Sequence, residues 1–309
     1  CGRRIDCGPC PGDLACPECA ATEVCRNGEC LSCTVTCASN QTSEECGAAL
    51  STALGNASLA TVTVCPGTYV GNFSISRGVT LVGAGQGTDP AANTILSGNQ
   101  AGRVLLLMAD AASVTLEKLR IAGGMLSNDD GAGIANLGAG LTMTNCTVSD
   151  NEGSNVNGVG IYSQSSLQMT GCQVSDNACT DGGEALAGGI YAQGPTTLTD
   201  CQITGNQTSG EGGGLLVASG LTSLDGQTTI SGNVAAGGGG ILVASDASLR
   251  VASTCQVTHN TATELYGGIA NGGAVTLLGS SPETIVVNNC PDNCFNVPGC
   301  TENQVDCPN

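Results

Sequence analysis

Aromatic and basic residues are scarce in this chain, and tryptophan is missing. Among 309 residues there are 2 Phe, 4 Tyr, 1 His and 8 Lys plus Arg, against 26 Asp plus Glu. The formal charge of −18 argues against a nucleic-acid partner, whose phosphates require clustered basic residues, and against anionic membrane surfaces. No apolar run approaches the ~20 residues of a membrane-spanning helix, so no transmembrane segment is predicted. This scarcity of aromatic side chains favours a narrow core filled by aliphatic residues, alanine and cysteine. A globular enzyme of this size would normally have many aromatic side chains in its core.

Glycine is abundant, and it marks a repeat. The chain has 47 glycines, and a unit of 25 to 29 residues recurs between about residue 94 and residue 289. In each unit glycines lead into a short aliphatic strand, as at 160–162 and 189–191. A second strand alternates apolar and polar residues, as at 141–148 and 167–174, which is typical of β-structure. The units end at Asn99, Gly124, Asn151, Asn177, Asn206, Asn233, Asn260 and Asn289.

A strand-and-turn unit of this length cannot bury its apolar face alone, so successive units must stack and share a core. The predicted fold is therefore all-β: a right-handed parallel β-helix, a solenoid of about eight coils with a short N-terminal cap helix and a disulfide-rich N-terminal head. A propeller blade would need ~40 residues or more. At ~4.8 Å per coil the rod would be on the order of 40 Å long.

The closing asparagines are predicted to stack one per coil. Side-chain amides at that spacing can hydrogen-bond along the stack, and asparagine tolerates the left-handed backbone of a tight corner. Gly124 would fill the same corner without a side chain. The predicted ladder consists of Asn151, Asn177, Asn206, Asn233 and Asn260.

Cysteines form a second predicted ladder, because four of them occupy one position of the unit. Thr228 takes that position in the coil before the last of them. The favoured interpretation is a row of small buried thiols that act as apolar filler. The alternative is a row of metal ions bound along the thiols, but no histidine or carboxylate supports it. Cys179, in the loop after Asn177, is predicted to be an exposed thiol that could link subunits. The ladder members are Cys146, Cys172, Cys201 and Cys255.

The 20 cysteines also divide the chain. We predict a disulfide-stapled head at 1–36, a cap helix with the first coil at 37–70, β-helix repeats at 71–289 and a cysteine-rich C-terminal cap at 290–309. The head has almost no apolar residues, so covalent or metal crosslinks must hold it. The disulfide candidates are Cys1, Cys7, Cys10, Cys16, Cys19, Cys25, Cys30, Cys33, Cys37, Cys46, Cys65, Cys290, Cys294, Cys300 and Cys307.

Two other interpretations of the head stay open beside disulfides. The segment from Cys7 to Cys10 matches the thioredoxin redox motif, but it lacks the strand and helix that flank such a motif. The pairs Cys7/Cys10 and Cys16/Cys19 have zinc-ribbon spacing, yet they lie too close together for the usual hairpin. Disulfides are favoured because the spacings are irregular and the chain is interpreted as exported, with a signal peptide removed.

Residues 43–54 predict a short amphipathic helix with Ser43 at its N-cap and acids in its first turn. A helix here would cover the open N-terminal coil, whose unpaired strand edge otherwise invites association. A disulfide between Cys46 and Cys65 is expected to pin the helix to the first strand.

The segment 62–83, with Pro66-Gly67-Thr68-Tyr69, and the glycine-led repeats ending in Ser/Thr-x-Asn resemble the pectate-lyase-like β-helix superfamily. Within it, residues 40–296 resemble bacterial surface proteins with polymorphic-outer-membrane-type repeats. That resemblance implies surface display, adhesion or a matrix role. The wider superfamily also contains polysaccharide lyases, hydrolases and esterases, so an enzyme has to be tested against the residues.

The residues that such enzymes require are sparse. Lyases of this fold use Lys or Arg as base, but Arg250 is the only basic side chain after residue 120, and Lys118 and Arg120 are expected to be solvated surface charges. Galacturonan hydrolases carry an Asp triad with Gly-His-Gly, whereas His259, the only histidine, occupies a corner position and is interpreted as a turn residue. We therefore expect no catalytic site and no cofactor.

Asp150 and Asp176 occupy equivalent positions in adjacent coils, so their carboxylates are expected about 5 Å apart. That spacing is compatible with a solvent-facing corner, with a weak calcium site or with the carboxylate pair of a retaining glycosidase. The corner is favoured, and Asp150 and Asp176 are the only calcium candidates.

These observations predict a non-catalytic extracellular or cell-surface structural protein, either an adhesin or the subunit of a fibre or matrix. The alternative is a polysaccharide-active or carbohydrate-binding β-helix protein. Expected partners are other copies of the chain, through the head and end coils, or glycans of a host or matrix. Cys1, which begins the chain, is either a disulfide partner or a lipid-anchored residue.

Overall fold

The computed structural model describes residues 20, 22–26, 29–181, 185–279 and 285–300. The predicted fold is confirmed: the chain winds as a parallel β-solenoid of about eight coils with one helix near its N-terminus. Equivalent short strands of successive coils pair in parallel and build four sheets along the rod. Cys1, Cys7, Cys10, Cys16, Cys19 and Cys307 lie outside the described residues, as does most of the predicted head.

The first two sheets have nine strands each, one above the other along the rod. The first sheet contains β3 (Thr61–Thr63), β6 (Val79–Val82), β9 (Ser113–Glu117), β13 (Gly140–Thr144), β17 (Leu167–Thr170), β21 (Thr196–Thr199), β25 (Gly220–Asp225), β29 (Ala247–Val251) and β33 (Ala274–Leu277). The second sheet contains β4 (Gly67–Val70), β7 (Thr94–Ser97), β10 (Arg120–Ala122), β14 (Thr147–Ser149), β18 (Gln173–Ser175), β22 (Gln202–Thr204), β26 (Thr229–Ser231), β30 (Gln256–Thr258) and β34 (Val286–Val287).

The third sheet is shorter, with six strands, and the fourth again has nine. The third sheet contains β11 (Met125–Ser127), β15 (Glu152–Ser154), β19 (Ala178–Asp181), β23 (Gln207–Thr208), β27 (Val234–Gly237) and β31 (Thr261–Leu265). The fourth sheet contains β5 (Phe73–Ile75), β8 (Leu105–Leu107), β12 (Ile134–Asn136), β16 (Ile161–Ser163), β20 (Ile190–Ala192), β24 (Leu215–Val217), β28 (Ile241–Val243), β32 (Ile269–Asn271) and β35 (Cys294–Phe295).

The main core lies between the first, second and fourth sheets, because alternate residues of each strand point inward. Leu141 and Met143 of β13, for example, stack on Leu167 and Met169 of β17 and are fully buried. One contiguous cluster of apolar side chains, cysteines included, runs through the coils from Val35 to Val297. The coils are thus held by the same kind of contact at every level.

Asparagine side chains form a continuous buried ladder where the second sheet turns into the third. Each amide nitrogen donates to the amide oxygen of the next coil over 2.8 to 3.0 Å, and each carbonyl oxygen also accepts from a main-chain N–H of the previous coil. The ladder starts at the N–H of Gly124 and ends at Asn293. A Cβ on Gly124 would lie 2.0 Å from Ala132 O, so no asparagine fits there. The rungs are Asn151, Asn177, Asn206, Asn233, Asn260 and Asn289.

The left-handed backbone expected of these asparagines belongs instead to the residue before each of them. Asp150, Asp176 and His259 have φ of 54°, 55° and 56°, and glycine takes the position in the coils between. The asparagine is therefore free to turn its side chain inward while its neighbour makes the corner. Asn99, exposed and itself at φ 48°, stands outside the ladder.

The N-terminal coil is covered by α1 (Ser43–Gly55), as predicted. The N-cap is Thr42 rather than Ser43: the Thr42 hydroxyl accepts from Glu45 N, and the Glu45 carboxylate accepts from Thr42 N. This capping box satisfies two N–H groups of the first turn. At the other end Arg77 donates to Leu54 O and Leu59 O. A helix fixed at both ends shields the edges of β4 and β5 from pairing.

Disulfides fix both ends of the rod. Cys33 is bonded to Cys65, and Cys37 is bonded to Cys46. The prediction of a disulfide between Cys46 and Cys65 was therefore wrong. The segment 33–37 pairs beside the first strand, with Val35 opposite Val64, and brings its own cysteines to both sites. At the C-terminal end Cys294 is bonded to Cys300, and Cys290 also takes part in a disulfide. Cys30, near the N-terminal end, is disulfide-bonded as well.

The described part of the head is an antiparallel hairpin of β1 (Glu23–Arg26) and β2 (Glu29–Ser32). The Arg26 guanidinium lies 2.7 Å from the carboxylate of Glu117 in β9. This ion pair and the Cys33 disulfide connect the hairpin to the first sheet.

Candidate functional site

The fourth sheet carries an apolar row on its outer side. In its three-residue strands the first and third residues point into the core, so the middle residue points away from it. The paired middle residues follow one another along the rod from the second strand of the sheet onward, and we call them the outer row. Its members are Leu106, Ala135, Tyr162, Tyr191, Leu216, Leu242, Ala270 and Phe295.

The third sheet, with the segments that join it to the fourth, forms a ridge beside this row. The ridge has a small core of its own, Ala132, Val156, Val159, Cys179 and Ala185. Cys179, predicted to be an exposed thiol, is fully buried in it. The earlier prediction was wrong because residues 178–181 continue as a strand of the third sheet instead of forming a loop.

Each joining segment contains one residue with left-handed backbone that lies against the outer row. A Cβ on Gly158 would lie 2.9 Å from Tyr191 Cβ, and one on Gly238 would lie 3.3 Å from Ala270 Cβ. Small residues are therefore required in most coils, since a side chain would collide with the row. The six positions, with φ between 56° and 74°, are Gly131, Gly158, Ala187, Gly212, Gly238 and Tyr266.

Tyr162 and Tyr191 form an aromatic pair in the middle of the row. Their ring centroids are 5.2 Å apart in a stacked arrangement. The Tyr162 hydroxyl accepts from Gln164 Nε2 over 3.0 Å and lies 3.4 Å from Gln193 Oε1. Burial raises the pKa of the Tyr162 phenol above its ordinary value. Rings flanked by amides present both an apolar face and hydrogen-bonding groups.

The row ends in a pocket of about 230 Å³ beside the last coils. Tyr266 and Phe295 stack on one side with ring centroids 4.5 Å apart, and Leu242 and Ala270 contribute to the apolar lining. Two carboxylates, of Glu211 and Glu264, join the lining. Phe295 and Leu265 expose 43% and 56% of their surface, so an apolar face is open to solvent here. We call this site the C-terminal pocket.

Arg103 and Arg120 are occupied by contacts within the chain. The Arg103 guanidinium donates to the main-chain oxygens of Asp130 and Gly131 and pairs with Asp129 at 2.7 Å. Arg120 pairs with the carboxylate of Asp150 at 2.5 Å, so it is not the solvated charge expected. Desolvation lowers the pKa of Lys118, which also has left-handed backbone. The contacts of Arg103 with residues 129–131 fix a joining segment of the ridge.

The calcium site considered at Asp150 and Asp176 finds no support in the geometry. The Asp150 carboxylate is already held by Arg120 and by the Ser149 hydroxyl. Over the described ranges, no group of three or more His, Cys, Asp or Glu could hold a metal ion. His259 lies at a left-handed corner with its Nδ1 2.9 Å from Thr258 Oγ1, the turn position that the repeat indicated.

The predicted thiol ladder is present in the core. Cys146, Cys172, Cys201 and Cys255 are buried and unbridged, and the Thr228 hydroxyl accepts from Cys201 N over 3.2 Å. Hydrogen bonding to Cys146, together with burial, raises the pKa of Cys172 to about 12. The pKa of Cys201 is raised for the same reasons, with Cys172 as the partner. Thiols held neutral in this way are poor nucleophiles and poor metal ligands.

Sequence reasoning missed the outer row and the C-terminal pocket. A signal was available: Ile161-Tyr162 and Leu215-Leu216-Val217 are runs of apolar residues where a half-exposed strand would alternate. Such runs indicate strands covered on both faces, here by the core and by the ridge.

Comparison with known families agrees with the geometry. The model of the right-handed β-helix region matches residues 71–234 and, in an overlapping match, residues 104–290, which together exceed half of the chain. No curated protein and no solved structure matches it. In the described residues, no helix is long and apolar enough to cross a membrane. The chain belongs to the right-handed β-helix family.

Proposed function

We propose that this chain is a non-catalytic structural or adhesive protein of the cell surface or extracellular space. The observation that carries the proposal is the position of the disulfides. The pairs Cys33–Cys65 and Cys37–Cys46 fix one end of the rod and Cys294–Cys300 the other, while the thiols between them stay reduced and buried. Disulfides persist in oxidising compartments, and bonds at the ends resist unwinding of a stack from its termini.

The state of the basic residues supports binding over catalysis. A lyase of this architecture would need a free Lys or Arg in a groove, but Arg103 and Arg120 are held by main-chain oxygens and carboxylates. The ridge covers much of the outer row, in which Ala135, Tyr162, Leu216 and Ala270 are buried, but the row opens to solvent at Phe295, which suits contact with a partner at that end.

Between fibre and adhesin, the cap helix favours the adhesin. End-to-end stacking of coils requires an open edge at each end, and α1 covers the edges of β4 and β5. A fibre would instead form by self-association through the head. We also propose that the chain is related to bacterial surface proteins with polymorphic-outer-membrane-type repeats.

A second candidate, carbohydrate binding, is favoured by the Tyr162–Tyr191 pair with Gln164 and Gln193 beside it. Tyr162 is buried, so the half-buried Tyr191 ring and the Gln164 and Gln193 amides are the groups that a ligand would contact, the combination typical of ligand sites with few polar groups.

The test uses the purified full-length chain on immobilised matrix polysaccharides, with electron microscopy in parallel. We expect discrete rods that are retained on a surface without releasing soluble sugar fragments. Release of fragments, with calcium present, would overturn the non-catalytic proposal. Retention that Tyr191→Ala abolishes would establish the carbohydrate-binding candidate, and periodic filaments would establish the fibre.

A further inference from the structure

Tyr266 is an exception among the six left-handed positions of the ridge. The other five are glycine or alanine, because the backbone there excludes or penalises larger side chains. In the last coil a tyrosine accepts φ 56°, and its ring stacks on Phe295 at the wall of the C-terminal pocket. Backbone strain that persists at one place in a regular repeat points to a role for the side chain it positions.

The pocket combines an apolar wall with negative charge. Glu211 and Glu264 line it, and within the described residues neither carboxylate has an ion-pair partner. Two aromatic faces and two carboxylates attract a cation with an apolar body, through ion pairing and cation–π contact. A volume of about 230 Å³ lies below the ~300–1,000 Å³ of pockets for drug-sized ligands. It therefore suits a single long side chain.

Among the described residues, the strand edge next to the pocket is open. β31 is the last strand of the third sheet, and only its first two residues are continued, by Cys290, which pairs with Thr261 and accepts from Ala262 N. Residues 263–265 extend beyond that contact and are exposed. An exposed edge is a template for an additional strand from another polypeptide.

We propose that the C-terminal pocket binds a lysine or arginine side chain of a partner polypeptide that pairs in extended conformation with the free edge of β31. The aliphatic stem packs on Leu242 and the stacked rings of Tyr266 and Phe295, and the cationic end lies between the carboxylates of Glu211 and Glu264. The net charge of −18 attracts basic partners to the rod from a distance. This inference does not depend on the proposed function.

The experiment measures fluorescence anisotropy of a blocked, labelled pentapeptide, Thr-Val-Arg-Val-Thr, titrated with the full-length protein. The matched probe replaces arginine by citrulline, which has nearly the same shape without the charge. We expect the citrulline peptide to bind at least about tenfold more weakly, and we expect binding of the arginine peptide to weaken with salt.

Two variants locate the site. Gly237→Leu fills the pocket: a Cβ there would lie 3.7 Å from Glu211 Oε1 and 3.6 Å from Leu265 O, ordinary contacts that the backbone tolerates. Glu211→Gln with Glu264→Gln removes the charge at constant size. Both are expected to lose at least about tenfold in affinity. The control is Glu152→Gln, an exposed carboxylate on β15 of the same sheet, far along the rod, which should bind like the parent.

Equal binding of the two peptides, or parent-like binding by both variants, would overturn the proposal. Butylguanidinium that displaces the arginine peptide and binds as tightly as it does would overturn the strand-pairing part, because a small cation would then suffice. A thermal melt of each variant verifies folding, and the double Gln variant keeps the test valid if Gly237→Leu unfolds. Failure here leaves the retention and turnover assays of the proposed function unaffected.

Discussion

The side-chain amide of Asn177 donates to the side-chain carbonyl of Asn206 over 2.8 Å, and Asn206 makes the same bond to Asn233 over 3.0 Å. The Asn206 nitrogen also donates to Val174 O, and its oxygen accepts from Asn177 N. Every hydrogen-bonding group of this buried amide is therefore satisfied. Ladders of this kind turn a polar side chain into a part of the core.

Substituting Asn206→Ala should destabilise the protein by about 3–5 kcal/mol, because it leaves a cavity and leaves the main-chain N–H and one side-chain N–H of Asn177 buried without their acceptor. Urea unfolding followed by circular dichroism measures the loss. Gln202→Ala, which removes an exposed amide in β22, is the matched control and should change stability by less than about 0.5 kcal/mol. Equal effects of the two substitutions would contradict a structural ladder.

Thr222 and Thr228 provide a pair of opposite predictions. The Thr222 hydroxyl is buried and has no hydrogen-bond partner in the described structure, so Thr222→Val should stabilise the protein by about 1–2 kcal/mol. The Thr228 hydroxyl lies 2.8 Å from Asp225 O and accepts from Cys201 N, so Thr228→Val should destabilise it by about 1–3 kcal/mol. The denaturation midpoints of the two variants test this prediction. Stability changes of the same sign would contradict the assignment of Thr222 as unpaired and Thr228 as hydrogen-bonded.

The thiol ladder predicts a loss of stability in alkali. The pKa of Cys172 is about 12 in the folded chain, above the ~8.5 of an unfolded thiol. At a pH between the two pKa values, Cys172 keeps its proton in the folded state and loses it in the unfolded state. The stabilisation that this thiol contributes is therefore complete below the lower pKa and decreases as the pH rises towards the upper pKa. The slope is about 1.4 kcal/mol per pH unit for one thiol.

Urea unfolding at several pH values between these limits measures the slope. Cys172→Ala should reduce it, even though the variant is less stable at neutral pH. A slope identical to that of the parent would mean that other groups cause the alkaline loss.

Tyr266→Gly should leave stability within about 1 kcal/mol of the parent. Glycine relieves a left-handed strain of about 1–2 kcal/mol, while the lost stacking on Phe295 costs about 0.5–1.5 kcal/mol. At the equivalent position of the preceding coil, Gly238→Ala should destabilise, because its Cβ would lie 2.8 Å from Ile241 O. Thermal denaturation compares them. A loss of several kcal/mol in Tyr266→Gly would mean that the ring is structural.

The repeat period predicted the coils, the asparagine ladder and the buried cysteines, because stacking makes each position an average over several equivalent residues. Cross-coil pairing such as Cys33 with Cys65 was not predictable, since spacing leaves disulfide connectivity undetermined. The role of Asn293 and the ridge were not predicted either, because the repeat does not indicate them. Asn293 follows Asn289 by only four residues and lies outside the repeat, yet it accepts the last bond of the ladder.

The bonding pattern of the ladder has an evolutionary consequence. Asn206 and Asn233 lie 27 residues apart, and each makes the same bonds to the rung before it and the rung after it. Duplication of residues 207–233 would insert a complete coil whose asparagine finds partners on both sides, with neither end altered. Gene duplication or loss could thus lengthen or shorten the rod by ~4.8 Å per event, which sets the reach of whatever its two ends connect.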